Sequence, residues 1–403
     1  FYVVKNNFTQ RVIFVSKFKN LQAMDFLERS IDVLFAKRVL PNKVLILLGA
    51  RRVGKTAFIK NYLSQLPKQE YLQLNGEDIQ DANLLKERSV SNYRRLLANT
   101  KLLVIDEAQN IPDIGLILKL IVDSIEGIKI IATGSSVFDL SNKLGEPLVG
   151  RKNTIYLFPL AQMEFSNYEN FKETTQKLEE RLLFGSYPEL EQYPDWNDKI
   201  NYLKEILNSY LLKDILVYEG IKHSNKILEV LKLIAFQVGQ EVSLQELARQ
   251  LGISKNTVES YLDLLSKVFV IYKVPGFSRN LRKEITKSNR WYFYDNGIRN
   301  AIISNFNRLD NRTDVGALWE NYLASERIKH QNYTQKVVTN YFWRTYDQQE
   351  LDWLEEENGQ LRGYEFKWNE NRKAKVPTAF AKAYPEASFE VINKQNYLDF
   401  IVQ

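Results

Sequence analysis

The sequence predicts an α/β fold whose first domain is a parallel sheet covered by helices on both faces. Short apolar segments alternate with helical segments from residue 43 onward, which is the order that a parallel sheet requires. A glycine-framed loop joins the first strand of this series to a helix, and an acidic pair ends a later strand. The 403 residues exceed the usual size of one domain, so we expect further domains after this sheet.

Five segments of the first part carry the strand pattern, and helical stretches separate them. They are residues 43–48, 70–78, 101–109, 128–136 and 154–160. A basic and aromatic lead-in, residues 1–23, precedes an amphipathic helical segment that begins at Met24. Two interpretations of the lead-in stay open: it belongs to the natural chain, or Met24 is the natural start.

The loop after the first strand has the composition of a phosphate-binding site. Gly49, Gly54, Lys55 and Thr56 occur at the spacing G-x-x-x-x-G-K-[ST]. The glycines let the backbone turn so that successive N–H groups face a phosphate. The lysine brings positive charge to the outer phosphates, and the threonine hydroxyl is a ligand for Mg²⁺. The spacing therefore predicts that ATP or GTP binds here with Mg²⁺, at Gly49, Ala50, Arg51, Arg52, Val53, Gly54, Lys55, Thr56 and Ala57.

An acidic pair, Asp106 and Glu107, ends the apolar run of residues 101–109. Ligands of open α/β sheets bind at the carboxyl ends of the strands, where this pair is expected to lie. Asp106 is placed to hold Mg²⁺ through water, and Glu107 to polarise the water that attacks the γ-phosphate. The pair predicts that the nucleotide is hydrolysed and not only bound.

Composition limits the remaining chemistry. The chain contains no cysteine and two histidines, His223 and His330, which excludes disulfides, thiolate zinc sites and a cysteine nucleophile. The absence of cysteine agrees with a reducing cytoplasm, the predicted location. No apolar run approaches the ~18 residues that a membrane span needs, so no membrane partner is expected.

Several segments together resemble the prokaryotic AAA-type P-loop ATPases that carry a C-terminal domain of unknown function. They are GARRVGKT, VIDEAQ, IIATGSS, GRKNTIYLFPLAQMEF and GSYPEL, and the resemblance extends over residues 24–403. It implies ATP as the nucleotide. The strand of residues 70–78, between the two nucleotide motifs, resembles the extra strand of one division of these ATPases.

The resemblance also implies roles for polar residues outside the two motifs. Thr133, Ser135 or Ser136 would sense the γ-phosphate, and Arg151 would stabilise charge on the transferring phosphate. The alternative for Arg151 is an ordinary surface ion pair. The segment 185–188, GSYP, resembles a nucleotide-contacting Gly-x-Pro segment with one residue too many, so a plain turn is the alternative.

Residues 223–312 have the pattern of a winged helix, following a helical lid or connector at 166–222. Three helices, at 225–237, 243–252 and 254–268, precede two strands that read as a hairpin with a basic tip. Twelve Lys or Arg stand against seven Asp or Glu between residues 223 and 300. Double-stranded DNA is therefore an expected partner, and a winged helix that only packs against protein is the alternative. The predicted DNA contacts are Lys255, Asn256, Arg279, Arg282 and Lys283, with Lys287 and Arg290 also on the wing.

The last segment, 313–403, resembles the PD-(D/E)xK nuclease core. Two strands, 341–354 and 361–368, carry Asp352 and the pair Glu365 and Lys367, and Glu320 lies near the start of an amphipathic helix. In such a site the three carboxylates would bind Mg²⁺ and the lysine would orient water. No proline precedes Asp352, and a scaffold without activity is the favoured alternative.

These patterns predict a lead-in (1–23), a P-loop AAA-type ATPase core (24–165), a helical connector (166–222), a winged helix (223–312) and a restriction-endonuclease-like α/β domain (313–403). The predicted function is Mg²⁺-dependent ATP hydrolysis that serves as a conformational switch. A metal-dependent DNA nuclease regulated by ATP and a signalling scaffold that binds ATP without turnover are the alternatives. A protein partner or a second copy of the chain remains open.

Overall fold

A computed structural model of the chain describes residues 27–135, 148–211, 224–278, 289–345, 347–372 and 374–402. In these ranges the α-helices are α1 (Asp32–Arg38), α2 (Lys55–Ser64), α3 (Ile79–Lys86), α4 (Val90–Leu96), α5 (Ile114–Ser124), α6 (Gln162–Phe165), α7 (Phe171–Phe184), α8 (Trp196–Glu205), α9 (Ser224–Phe236), α10 (Leu244–Leu251), α11 (Lys255–Lys267), α12 (Asn296–Ile302), α13 (Val315–Tyr333), α14 (Thr378–Ala383) and α15 (Tyr397–Val402). The strands are β1 (Lys43–Leu48), β2 (Tyr71–Asn75), β3 (Leu102–Asp106), β4 (Lys129–Gly134), β5 (Lys152–Tyr156), β6 (Glu241–Val242), β7 (Ile271–Pro275), β8 (Asn289–Phe293), β9 (Thr339–Arg344), β10 (Glu350–Glu357), β11 (Gln360–Phe366) and β12 (Ser388–Ile392). Among these helices, none is both long and apolar enough to cross a membrane.

The first five strands form one parallel sheet in the order β2-β3-β4-β1-β5. The strands β1, β3 and β4 are buried along nearly their whole length because most of their residues are aliphatic. Helices flank the sheet, and α5 buries an apolar stripe that includes Ile114, Ile117, Leu118 and Ile121. The predicted parallel sheet of five strands is confirmed. Its carboxyl edge carries the loops that follow β1, β3 and β4.

Residues 224–293 contain three helices, α9 to α11, and an antiparallel sheet in the order β6-β8-β7. Serine caps begin two of these helices: the Ser243 hydroxyl accepts from the Glu246 N–H at 3.3 Å, and the Ser254 hydroxyl accepts from the Thr257 N–H at 3.1 Å. Gly252 ends α10 with φ of 64°, a left-handed conformation that glycine adopts without strain. The capping residues thus begin and end these helices where the sequence places them.

The C-terminal part is a four-stranded sheet in the order β12-β11-β10-β9, against which α13 packs. The prediction of a single strand over 341–354 is wrong. The Thr345 N–H donates to the Gln349 carbonyl at 2.9 Å, and β9 and β10 are two separate strands that pair antiparallel.

Buried polar contacts join α13 to the segment that leaves β5. Tyr322 donates to the Gln162 side-chain oxygen at 3.0 Å, and the Gln162 N–H donates to Glu326 at 2.6 Å. The Lys329 ammonium donates to the Leu160 carbonyl at 3.1 Å. Because buried polar groups lose much energy when their partners move away, these contacts fix α13 against the first domain.

Candidate functional site

The loop between β1 and α2 has a backbone that requires its two glycines. Gly54 has φ of 94°, and a Cβ atom on Gly49 would lie 2.1 Å from the Leu157 carbonyl oxygen. The Lys55 side chain is buried and donates to the carbonyls of Gly49 and Ala50 at 2.8 and 3.0 Å. The ammonium group therefore lies inside the loop, against the backbone that would surround a phosphate.

The Thr56 hydroxyl and the Asp106 carboxylate are in direct contact. Thr56 Oγ1 donates to Asp106 Oδ2 at 2.8 Å, and the Thr133 hydroxyl donates to the other oxygen, Oδ1. Asp106 ends β3 and Thr133 lies near the end of the neighbouring strand β4, so the sheet brings them together. The structure thus joins two predicted Mg²⁺ ligands that are fifty residues apart in the chain.

Glu107 is held in an uncommon backbone conformation next to this contact. Its φ of 49° is in the left-handed region, which costs energy for a residue with a side chain. Its N–H donates to the Thr133 hydroxyl at 3.0 Å, and its carboxylate accepts from the Gln109 amide at 2.5 Å. Thr133 therefore holds the backbone of Glu107, and Gln109 sets the direction of the predicted water-polarising carboxylate.

Sequence reasoning missed Gln109, although the residue belongs to the VIDEAQ segment. Its side-chain amide also donates to the Ser135 hydroxyl at 3.3 Å, so it bridges the ends of β3 and β4. Among the three candidates for sensing the γ-phosphate, Thr133 is bonded to the acidic pair and Ser135 to Gln109. Ser136 lies outside the described residues.

The structure does not bring Arg151 to the phosphate loop of its own chain. Arg151 precedes β5, and its carbonyl accepts from the Val44 N–H at 2.8 Å, at the amino end of β1. The loop begins at the other end of β1, about 15 Å away at the rise of a strand. Arg151 pairs instead with Asp123 at 2.7 Å, and both side chains are partly exposed.

The segment 185–188 lies against the phosphate loop. A Cβ atom on Gly54 would lie 3.9 Å from Pro188 Cγ, and Glu189 pairs with Arg52 at 3.4 Å. Gly185 and the Ser186 N–H contact the buried carboxylate of Asp295, which accepts from that N–H at 2.7 Å. This segment is therefore more than a solvent-exposed turn, because it connects the loop to the beginning of α12.

We define the C-terminal cluster as Glu320, Asp352, Glu365 and Lys367, and two of its members, Glu320 and Asp352, face the guanidinium of Arg290. Arg290 lies on β8, the second strand of the predicted wing, but its side chain is buried at 5% exposure and so adds nothing to a basic surface. Its guanidinium lies 2.9 Å from Glu350, 3.6 Å from Glu320 and 3.8 Å from Asp352. Arg290 belongs to β8, so its guanidinium reaches these carboxylates from the preceding domain.

The rest of the chain encloses Glu320 and Asp352. Tyr292 donates to Glu320 at 2.8 Å, and a Cβ atom on Gly239 would lie 2.5 Å from the Glu320 carboxylate. The Phe366 N–H donates to Asp352 at 2.8 Å. Burial and the nearby charge of Asp352 raise the pKa of Glu320 to about 8.

Lys367 pairs with Glu365 on the same edge of the cluster, as the alternation along β11 predicts. Burial and the charge of Asp352 raise the pKa of Glu365. No group of three acidic or histidine side chains within the described ranges is arranged to hold a metal ion. Glu320 and Asp352 thus face the guanidinium of Arg290, whereas Glu365 pairs with Lys367.

The residues predicted to contact DNA are divided between the described and the undescribed chain. Lys255 and Asn256 begin α11 and are exposed. Arg279, Arg282 and Lys283 lie outside the described residues, as does Lys287. The exposed side of α11 also carries Glu259 and Asp263, so the charges of the whole helix, which include Lys255 and Lys267, sum to zero.

Three family models match successive parts of the chain. Residues 41–166 match the AAA domain family, AAA_14. Residues 175–309 match a domain of unknown function, DUF8612, and residues 315–400 match another, DUF4143. Residues 41–166 form a P-loop ATPase-type domain.

Curated relatives align along most of the chain. An uncharacterized protein of Methanocaldococcus jannaschii, MJ1544, is 26% identical over 375 residues, which cover 88% of this chain and 82% of that protein. The uncharacterized protein Rv2008c of Mycobacterium tuberculosis is 26% identical and covers 80% of this chain and 70% of its own. An uncharacterized protein of Haemophilus influenzae is 27% identical over 69% of this chain and 75% of its own.

Among solved structures, AMPPCP-bound DnaA from Aquifex aeolicus aligns with 66% of this chain and 89% of its own at 15% identity and a TM-score of 0.26. A superposition of this quality supports no conclusion about function.

Proposed function

We propose that this protein binds ATP with Mg²⁺ and hydrolyses it, and that hydrolysis serves as a conformational switch. The observation that carries the proposal is the 2.8 Å contact between the Thr56 hydroxyl and the Asp106 carboxylate, beside the buried ammonium of Lys55. These groups come from three different positions of the two motifs, and a nucleotide with its metal needs all three. The match of residues 41–166 to an AAA domain agrees with this function.

Each group has a distinct part in the proposed reaction. Mg²⁺ would be held by Thr56 directly and by Asp106 through water, and would neutralise charge on the β- and γ-phosphates. Thr133 keeps one oxygen of Asp106 occupied, which directs the other toward Thr56. Lys55 would exchange its backbone carbonyl partners for phosphate oxygens. Glu107, oriented by Gln109, would polarise the attacking water.

Contacts of the loop with later parts of the chain support the switch. Pro188 and Glu189 border the loop at Gly54 and Arg52, and the neighbouring Ser186 is bonded to Asp295. If the loop moves on hydrolysis, its contacts with Pro188 and Glu189 change, and Ser186 connects this segment to Asp295 at the beginning of α12. ATP-dependent movement between the first domain and the rest of the chain is the expected output.

DNA association is the second part of the proposal. We infer that residues 223–312 form a winged helix, on the basis of the three helices and the antiparallel sheet order β6-β8-β7. Lys255 and Asn256 lie exposed at the beginning of the third helix, where such domains contact the major groove. Because the charges of that helix sum to zero, we expect most phosphate contacts to come from the basic sequence segment 279–287.

No observation of comparable strength favours a DNA nuclease. We assign residues 313–403 a restriction-endonuclease-like α/β fold in which the cluster acts as scaffold, because Arg290 lies among its carboxylates. Residues 24–165 remain the proposed ATPase core, and 166–222 the proposed connector.

Phosphate release from ATP tests the proposal, measured with and without Mg²⁺ and duplex DNA. We expect Mg²⁺-dependent release that Lys55→Ala abolishes, since that variant lacks the mobile charge at the outer phosphates. The control is Lys60→Ala, an exposed lysine on the same helix. Tight ATP binding without release under all conditions would favour the non-hydrolysing scaffold, and DNA cleavage that requires Asp352 would favour the nuclease.

A further inference from the structure

Arg29 is a buried arginine that joins the phosphate loop to two other parts of the chain. Its side chain is on the segment before α1 and is 5% exposed. The guanidinium donates to the Val53 carbonyl at 2.9 Å and to the Phe158 carbonyl at 2.7 Å, and it pairs with Glu164 at 2.9 Å. It also lies 3.3 Å from the Tyr333 hydroxyl. One planar group therefore contacts the loop, the exit of β5 and the last residue of α13.

The contact with Val53 bears on the phosphate-binding surface. In a trans peptide unit the C=O of one residue and the N–H of the next point in opposite directions. Arg29 holds the Val53 carbonyl on the outer side of the loop, which directs the Gly54 N–H toward the inner side. Gly54 itself has φ of 94° and a Cβ position only 3.8 Å from Arg29 Nη1, so the loop and the guanidinium fit closely.

Glu164 neutralises the buried guanidinium and fixes its plane. Its carboxylate also accepts from the N–H groups of Ser30 and Ala161 at 3.0 and 2.7 Å. A charge-assisted pair with two backbone donors is a rigid arrangement, and a flexible lysine could not reach the same three segments at once. The position of Arg29 is therefore determined from the side opposite the loop.

Tyr333 connects this arrangement to the C-terminal domain. Its hydroxyl accepts from the Phe158 N–H at 3.1 Å as well as from Arg29, and it is buried at the end of α13. A displacement of α13 would remove a partner from Arg29, and a displacement of the Val53 carbonyl would do the same from the other side. The two events share one guanidinium.

We propose that Arg29 is a positioning residue that couples nucleotide binding at the phosphate loop to the docking of α13 through Tyr333. The proposal rests on the proposed function, because the loop must bind a nucleotide for the coupling to be expressed. Reciprocity requires that the nucleotide stabilises the contact at Tyr333 as much as that contact strengthens nucleotide binding. Arg29 thereby links the state of the ATPase site to the last domain of the chain.

The test compares Tyr333→Phe with Tyr397→Phe in the full chain. Both side chains are buried in the C-terminal part, but the Tyr397 hydroxyl has no hydrogen-bond partner among the described residues, so its removal controls for the loss of an oxygen. The dissociation constant of a non-hydrolysable ATP analogue is measured well below the melting temperatures. We expect Tyr333→Phe to weaken binding about fivefold, the effect of one net hydrogen bond, and Tyr397→Phe to leave it unchanged.

Hydrogen exchange of α13 separates coupling from simple stabilisation. In the parent chain the analogue should slow exchange at the carboxyl end of Val315–Tyr333, and in Tyr333→Phe this slowing should disappear. A purely structural tyrosine would change exchange equally with and without the analogue, and that result, or equal affinities for parent and Tyr333→Phe, would overturn the proposal. A parent chain that binds no nucleotide would overturn the proposed function and this inference with it.

Arg29→Lys provides a second variant, since lysine keeps the positive charge but lacks the planar guanidinium with its several fixed donors. We expect Arg29→Lys to lose more analogue affinity than Tyr333→Phe. The double variant should lose little more than Arg29→Lys alone, because both substitutions act through the contact between Arg29 and Tyr333. Additive losses in the double variant would show two independent effects and would contradict the coupling.

Discussion

Asp106 and Asp352 are both buried aspartates with acidic neighbours, but their surroundings differ in the kind of group that faces them. The oxygens of Asp106 accept from the neutral hydroxyls of Thr56 and Thr133. Asp352 lies 3.8 Å from the guanidinium of Arg290 and accepts a backbone N–H. A hydroxyl can turn from a carboxylate to a metal ion, whereas a buried guanidinium is a permanent charge that must keep its anions.

The two sites also differ in where their partners come from. The site at Asp106 is built at the carboxyl edge of one parallel sheet, by β1, β3 and β4 and the loops that follow them. The C-terminal cluster is closed by Arg290 from β8 of the preceding domain, and by Tyr292 on the same strand. Acidic residues at suitable spacing are therefore expected to form a cation site only where no cationic side chain of the chain already faces those carboxylates.

The largest expected effect follows from removal of that internal cation. Arg290→Met removes the positive charge that faces the mostly buried carboxyl groups of Glu320 and Asp352, so we expect the free energy of unfolding to fall by about 3–5 kcal/mol. Urea unfolding at neutral pH measures it. Arg362→Met, which removes a partly exposed partner of Glu357, is the control and should cost less than about 1 kcal/mol. Equal losses in the two variants would mean that Arg290 does not hold the cluster together.

The next effect concerns the other site. Glu107→Gln should reduce ATP turnover by about 10²–10³-fold, because the amide cannot polarise water, while analogue affinity stays within about threefold. Steady-state phosphate release and titration calorimetry measure the two quantities. Glu126→Gln, an exposed glutamate before a turn, is the control. Turnover at the parent rate in Glu107→Gln would remove this residue from the reaction.

The pH dependence of stability distinguishes the two sites through Glu320. Its pKa is about 8 in the folded chain against 4.5 for an ordinary glutamate. Between these pH values the folded chain keeps a proton that the unfolded chain releases, so Glu320 makes stability fall as pH rises. Glu320→Gln lacks this effect and should gain about 1–3 kcal/mol relative to the parent between pH 5 and pH 9. Parallel stability curves for parent and variant would show that Glu320 is ionised in the folded chain.

The smallest expected effect is on DNA. Lys255→Ala should reduce the salt slope of duplex binding by about 1, since it removes one phosphate contact. Glu259→Gln, on the same helix, should strengthen binding slightly at low salt. Fluorescence anisotropy at several salt concentrations measures both. Failure of the parent to bind a duplex at low salt would leave the three helices with a packing role.

Local patterns predicted the first domain because its signals lie in short segments. The glycine spacing, the acidic pair and the alternation of apolar strands and helices each depend on neighbouring residues, and the parallel sheet follows from them. The break between β9 and β10 was not predicted, because the sequence TYDQQ between them contains neither glycine nor proline. A backbone hydrogen bond from the Thr345 N–H to the Gln349 carbonyl links the ends of this segment, and sequence composition does not reveal it.

Long-range contacts explain the other differences. Arg290 was expected on a basic surface because its sequence neighbours are basic. Its side chain is instead buried against acidic partners that lie 30 to 62 residues further along the chain. Arg29 carries no motif, and its role depends on Val53, Glu164 and Tyr333, up to 304 residues away. Arg151 resembles a catalytic arginine by its position in the sequence. The pairing of β1 with β5 places it at the end of the sheet opposite the phosphate loop, and this pairing could not be read from the sequence.

The number of Mn²⁺ ions bound per chain, measured by electron paramagnetic resonance with and without a non-hydrolysable ATP analogue, tests the difference between the two sites most directly. We expect one bound ion with the analogue and none without it. That ion should be lost in Thr56→Ala, which removes its hydroxyl ligand, and retained in Asp352→Asn. An ion that binds without the analogue and is lost in Asp352→Asn would contradict the account, because the C-terminal cluster would then hold a metal despite Arg290.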